Sequence, residues 1–322
     1  MAEGQPQGRT ATEPRSIRAW FRRWPWIRAL GQSESEVTVR PAGARFLSAP
    51  KPIRPYAAED WEFAWLAASA YDKTHAGAKR RAHAVDPESQ ANPELALRAA
   101  GWECWVGFPS RKLDHEIEPT HLRVEVWQKQ RANGTLAVAV TFGGTVFNNK
   151  MDWRANLRWF LPGGLRDEYT DVVRTFAPAF IEEFVNRLGG AAAPSVEIIS
   201  TGHSLGGGLA QQFAYAHCLD ARVPRVTRVY AFDPSPVTGF FSVKRAVRDV
   251  NRKTLEIDRI YERGEILAIV RSIMSVLWKP STTAPQIRGR RYFLFHAWNP
   301  IAGHSMVKMA ALMSAAAGHS ML

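Results

Sequence analysis

Apolar and polar residues alternate from Leu122 to Trp127, the period of a half-buried strand. Asn133-Gly134 then marks a turn, and Leu136 to Phe142 is a continuous apolar run. The pair predicts a hairpin feeding a central strand. Tyr169, Val172, Val173, Phe176, Phe180, Phe184 and Leu188 recur at helical spacing and stop at Gly189-Gly190. Pro178 lies inside that pattern and predicts a kink or a late helix start, because proline lacks a donor and crowds the preceding turn. Further strands are predicted at 196–201, 226–232, 257–262 and 292–295. Strands alternating with helical stretches predict an α/β fold with a mostly parallel central sheet flanked by helices. Their apolar runs suit strands covered on both faces.

The first fifty residues read differently. Residues 1–13 are polar and rich in Gly, Pro, Thr and Gln, as in a disordered arm. Trp20, Phe21, Trp24 and Trp26 follow, interleaved with Arg18, Arg22, Arg23 and Arg28. Arginines interrupt any apolar core there, so the run does not read as a secretory signal. It reads either as a segment packing its tryptophans on the main domain or as an interfacial membrane anchor. A Pro-rich stretch from Pro41 to Pro55 predicts a linker. The expected division is a flexible arm over 1–50 and a folded domain over 51–322.

Composition narrows the classes. Of 322 residues, 46% are hydrophobic and 22% charged, too apolar for a disordered chain. No run approaches the roughly 18 apolar residues of a membrane span. Two cysteines, Cys104 and Cys218, make no disulfide framework and fall in no metal-ligand spacing, so no metal is expected. The formal net charge of +12 suits an anionic membrane or nucleic acid without choosing between them. No nucleic-acid recognition module accompanies the charge, so no nucleic-acid partner is expected. A basic run, Lys244, Arg245, Arg248, Arg252 and Lys253, reads as a solvated face or as a surface for anionic headgroups. The expected location is cytoplasmic or peripheral to a membrane, with signal-independent export left open. Nothing in the sequence fixes the oligomeric state.

The chemistry concentrates in Gly202-His203-Ser204-Leu205-Gly206-Gly207-Gly208, placed between a predicted strand and a helical pattern. A serine hydroxyl acts as a nucleophile when a sharp strand-to-helix turn lifts it above the sheet, and glycines two before and two after make room for that turn. The helix N-terminus aims backbone N–H groups, that of Leu205 first, at any oxyanion formed beside Ser204. His203 precedes the nucleophile, so its side chain is expected to point away from the reacting face. Upstream, Phe142-Gly143-Gly144-Thr145 ends a strand where a backbone N–H and a hydroxyl converge, a second oxyanion donor. A base is expected after the last strand, from His304 or His296. The acid is either Glu265 or Asp233, each following a predicted strand. Two apolar stretches, 153–161 and 267–278, are core or the walls of an acyl groove.

These motifs together resemble the class 3 lipase family, α/β-hydrolases related to fungal triacylglycerol lipases. Phe142-Gly143-Gly144-Thr145 resembles its Phe-Arg-Gly-Thr element, Asp152-Trp153 and Asn156-Leu157 its Asp-Trp…Asn-Leu continuation, and Gly202 to Gly207 its nucleophile elbow. The likeness covers roughly residues 59–322. It implies an α/β-hydrolase fold and serine-dependent hydrolysis of lipid carboxylic esters through an acyl-enzyme, with no cofactor. Thr145 keeps the family's oxyanion position, and His304 lies in a similar Asn-Pro…His-Ser context. The family's acid follows the later strand, where Glu265 stands. Gly143 departs from the family's usual arginine, and Glu265 from its usual aspartate. An acyltransferase using the same site, and a catalytically inactive membrane-binding protein on the same fold, are the alternatives.

Overall fold

The computed structural model describes residues 32–44, 47–71, 91–144, 167–189, 195–217, 220–263, 284–295 and 305–319. Among them, nine strands form one sheet: β1 (Glu36–Arg40), β2 (Lys51–Pro52), β3 (Glu103–Cys104), β4 (Val124–Gln130), β5 (Leu136–Phe142), β6 (Val196–His203), β7 (Val226–Phe232), β8 (Glu256–Glu262) and β9 (Gln286–Tyr292). Their spatial order is β2-β1-β9-β8-β7-β6-β5-β4-β3. β5 through β9 run parallel, and the rims on both sides pair antiparallel. The helices are α1 (Arg54–Ser69), α2 (Pro93–Ala99), α3 (Arg111–Ile117), α4 (Glu168–Asp171), α5 (Ala177–Leu188), α6 (Leu205–Ala216), α7 (Arg245–Asn251) and α8 (Met306–Ala317). The chain is thus an α/β protein with a mixed sheet, parallel at its centre. No helix among the described residues is long and apolar enough to cross a membrane.

Alternation along each strand divides the core in two. Ile198, Val229, Ala231 and Ile257 face α5 and α6, while Ile199, Tyr230, Phe232 and Ile260 face α1 and α8. The first face is built on aromatics. Phe142, at the end of β5, packs 5.7 Å from Phe176 and 5.5 Å from Phe213, centroid to centroid. On the second face the lower half of the sheet is charged. Asp258 of β8 receives Arg228 at 3.0 Å and Arg288 at 2.7 Å, and Asp60 of α1 receives Arg290 at 2.6 Å and the Tyr292 hydroxyl at 2.6 Å. Burial pushes the Asp258 carboxyl up, and the surrounding guanidiniums outweigh it, holding the group below the ordinary aspartate value.

The predicted hairpin is β4–β5, closed by a turn in which Arg131 N–H donates to Thr135 O at 2.9 Å and Gly134 takes a φ of 82°. The predicted helix is interrupted as Pro178 requires: α4 passes through one wide π turn, Val172–Phe176, and α5 starts at Ala177 with the proline in its first turn. Gly189 closes α5 in the left-handed conformation.

Three expectations are corrected. The arm does not extend to residue 50, because Glu36–Arg40 alternates into the main sheet beside β9 with Val37 and Val39 buried. Pro55 belongs to the first turn of α1 rather than to a linker. The last strand among the described residues is Gln286–Tyr292 rather than 292–295; its arginines hide a strand because Asp60 and Asp258 neutralise them inside.

Candidate active site

The carboxyl ends of β5, β6, β7 and β8 form one edge, the position at which parallel α/β sheets bind ligands. Ser204 stands there between β6 and α6 with φ 57° and ψ −122°, the conformation of the first central residue of a type II′ turn, where glycine dominates. A serine that caps a helix ordinarily has negative φ and turns its oxygen onto the first amides. Ser204 does neither: its φ is positive and its side chain makes no capping bond to α6. Its backbone is fixed on both sides. Ser204 N–H donates to Phe232 O at 3.0 Å, and its carbonyl accepts from Gly207 N at 3.1 Å and Ser235 N at 2.9 Å.

Glycines let three backbones meet here. A Cβ on Gly206 would fall on the Phe142 carbonyl, so α6 abuts the end of β5. A Cβ on Gly144 would fall on the Tyr71 hydroxyl and lie 2.7 Å from His203 O, so the segment after β5 lies against the peptide preceding the serine. A Cβ on Gly207 would meet Pro234 and stand 3.1 Å from the Gly202 carbonyl of β6, and one on Gly208 would meet Tyr169 and Val237.

His203 is buried, with Nδ1 2.7 Å from the hydroxyl of Tyr71. Tyr71 follows the end of α1, and burial pushes its phenol well above the ordinary tyrosine value, so it remains a neutral hydroxyl. Arg123 reaches the same place from the residue before β4. Its guanidinium donates to Gly144 O and, at 3.5 Å, to Tyr71 O, and covers the Tyr71 ring at 5.4 Å. Gly143 N–H returns a bond to Arg123 O at 2.9 Å. A side chain at 143 would have no room, since its Cβ would stand 2.7 Å from Ala70 O and 3.0 Å from Arg123 Cβ. The guanidinium beside this loop therefore comes from the neighbouring strand, not from position 143. Glu168 faces Arg123 across the edge; burial, then Asp167 and Asp171, push its carboxyl up to about 7 against the pull of Arg123.

Asp233 follows β7 with φ 37° and is buried; its Oδ1 accepts from Glu262 N at 3.1 Å and so ties the ends of β7 and β8. Glu262, the last residue of β8, is also buried. Its carboxylate accepts from Leu294 N at 3.0 Å and Phe295 N at 3.2 Å. Burial nonetheless pushes it up to about 8, the backbone donors and Arg263 opposing. Among the described residues no group of three or more His, Cys, Asp or Glu could hold a metal ion.

Of the expected site residues, the described ones are Ser204, Leu205 and Asp233; Leu205 follows Ser204 at the turn, and Asp233 follows Phe232, whose carbonyl accepts from Ser204 N. Thr145, Glu265, His296 and His304 lie outside the described residues, as do the apolar stretches 153–161 and 267–278. Arg123, Tyr71, Glu168 and Glu262 were not expected. Arg123 and Glu262 carry one signal, a charge at the sheet-edge end of an otherwise strand-like run. A scan against protein-family models finds no match, and no curated protein matches the chain.

Proposed function

We propose that the chain is a serine hydrolase of lipid carboxylic esters, on an α/β-hydrolase scaffold of the class 3 lipase kind. The observation that carries this reading is the conformation of Ser204. A non-glycine residue in a glycine conformation, at the carboxyl edge of a parallel sheet and ahead of a helix, is the arrangement that presents a nucleophile.

In this reading Ser204 Oγ attacks the ester carbonyl, and His304 accepts its proton and returns it to the leaving alcohol. The Leu205 amide and Thr145 hold the oxyanion, and water then cleaves the acyl-enzyme. These roles, Thr145 and His304 included, come from the resemblance and the motif order. The engagement of Asp233 Oδ1 with the Glu262 amide weighs toward Glu265 as the acid orienting the imidazole. His296 is the rival base. Arg123 and Tyr71 brace the Gly143-Gly144 segment against the elbow.

The test is covalent labelling by a fluorophosphonate, followed by peptide mapping and turnover of aryl esters, triglycerides and phospholipids. Label on Ser204, absent in Ser204→Ala along with turnover, is expected. A folded wild-type chain that neither labels nor turns over any ester would end the proposal.

A further inference from the structure

Away from Ser204, the loop after β7 ends in one turn of 3-10 helix, Phe240–Ser242, and presents an apolar knob. Gly239, in the left-handed conformation, starts the turn; Ser242 Oγ donates to Gly239 O at 2.6 Å and accepts from Gln212 Nε2 at 2.8 Å. Phe240 is seated edge-on against Tyr215, 5.0 Å between centroids. Phe241 is left 89% exposed. Both anchors belong to the last turns of α6, so the knob stands roughly 12–16 Å along that helix from Ser204, at about 1.5 Å per residue. Arg248 of α7 stacks over Phe240 at 4.3 Å and over Phe241 at 5.5 Å, and donates to Phe240 O at 3.0 Å. Lys244 and Arg245 are exposed beside it, with Arg252 and Lys253 one turn further. Five cations against Asp249, which pairs with Arg245 and Arg252, leave this surface strongly positive.

We infer that the Phe240–Lys253 surface docks on an anionic lipid bilayer, with Phe241 entering the headgroup layer and Lys244, Arg245 and Arg248 meeting lipid phosphates and carboxylates. Charge complementarity selects an anionic surface, and geometry selects the bilayer. A strand of nucleic acid asks for successive open ring faces, but Phe240 is packed against Tyr215 and covered by Arg248, which leaves the single ring of Phe241. A protein partner needs an apolar centre of several residues, and the other exposed large hydrophobics among the described residues, Leu95 and Val106, belong to other elements. A bilayer asks for one apolar side chain below a ring of cations. Docking through this surface leaves the opposite end of α6, with Ser204, clear of the contact. The inference does not rest on the proposed chemistry.

The experiment uses the full chain carrying Ser204→Ala, so that lipid is not consumed, and sedimentation with sucrose-loaded vesicles. Vesicles of phosphatidylcholine with phosphatidylserine should bind, pure phosphatidylcholine vesicles weakly, and added salt should release the protein. Phe241→Ser should weaken the partition about tenfold, and Lys244→Glu with Arg245→Glu by at least as much, while Phe241→Trp should retain it. Phe241 is so exposed that an unchanged unfolding midpoint is expected for its variants. Unchanged partition in Phe241→Ser or in the charge-reversed variant would overturn the inference. So would losses confined to binding of a single-stranded oligonucleotide.

Discussion

Ser204→Gly and Ser204→Ala both remove the hydroxyl, yet they should differ in stability with a sign opposite to the usual one. At φ 57° and ψ −122° a residue with a Cβ is strained by about 1–3 kcal/mol. The strain cannot relax by rotation of either flanking peptide, because Phe232 O, Gly207 N and Ser235 N hold the backbone on both sides. Alanine keeps the strain and glycine releases it. Against that release stand glycine's greater freedom in the unfolded chain, about 0.4–1 kcal/mol, and the loss of one buried methyl, at most about 0.8 kcal/mol. At mid-range values the balance favours Ser204→Gly over Ser204→Ala by about 0.5–1.3 kcal/mol, or a midpoint roughly 1–2 °C higher. At ordinary helical angles the same terms run the other way, so Ala210→Gly in α6 should lose about 1 kcal/mol or more. Urea unfolding of the three variants decides it. A Ser204→Gly protein less stable than Ser204→Ala would refute the claim that the elbow stores strain, and with it the main support for a nucleophile.

Two further perturbations address the residues around the elbow. Arg123→Met removes the donor to Gly144 O and Tyr71 O and should cost about 1–3 kcal/mol. If the guanidinium also positions the loop, ester kcat should fall more than KM changes, and added guanidine should restore part of it; unaltered stability and turnover would refute the bracing role. Glu262 has a folded-state value of about 8 against an ordinary 4.5, so the folded chain holds a proton that the unfolded chain releases. Its contribution to stability is therefore present below about pH 4.5 and declines as pH rises towards 8, by several kcal/mol at most. Subtracting the stability–pH profile of Glu262→Gln from that of wild type should show this decline, and a difference that rises with pH would contradict it.

Strands β5, β6 and β7 were readable because their runs are largely apolar on both faces, and because Asn133-Gly134 and Gly189 punctuate the pattern around them. β9 escaped since its inward residues are Arg288, Arg290 and Tyr292, and only the fold supplies Asp60 and Asp258, distant in sequence, to neutralise them. β1 escaped for a different reason: five residues ahead of a proline-rich stretch look like part of an arm until β9 offers them an edge. At the site, spacing alone marked Ser204, because the turn demands glycines at fixed offsets. Arg123 was invisible as a partner of Gly144, since nothing local connects residues 21 apart across a strand pair.

The buried polar groups beneath the elbow share one geometric task. Asp233 joins β7 to β8 through the Glu262 amide, and Glu262 joins β8 to the segment after β9 through two backbone N–H groups. Tyr71 joins the end of α1 to His203, and Arg123 joins the start of β4 to the segment after β5. Three of these links cross from one strand end to the next, and the Tyr71 link ties a helix end to β6, all at the edge where the ladder hydrogen bonds of the sheet stop. Without them the strand ends would be free to fray, and a strained serine held at both peptides would relax first. Apolar side chains could fill the same volume, but they would not fix the direction of a carbonyl or an amide. Hydrogen bonds do, and inside a low-dielectric edge an unmade one costs more than at the surface. The same burial that raises Glu262 and Tyr71 above their ordinary values keeps these two groups neutral, so their links add direction without adding charge at the sheet edge.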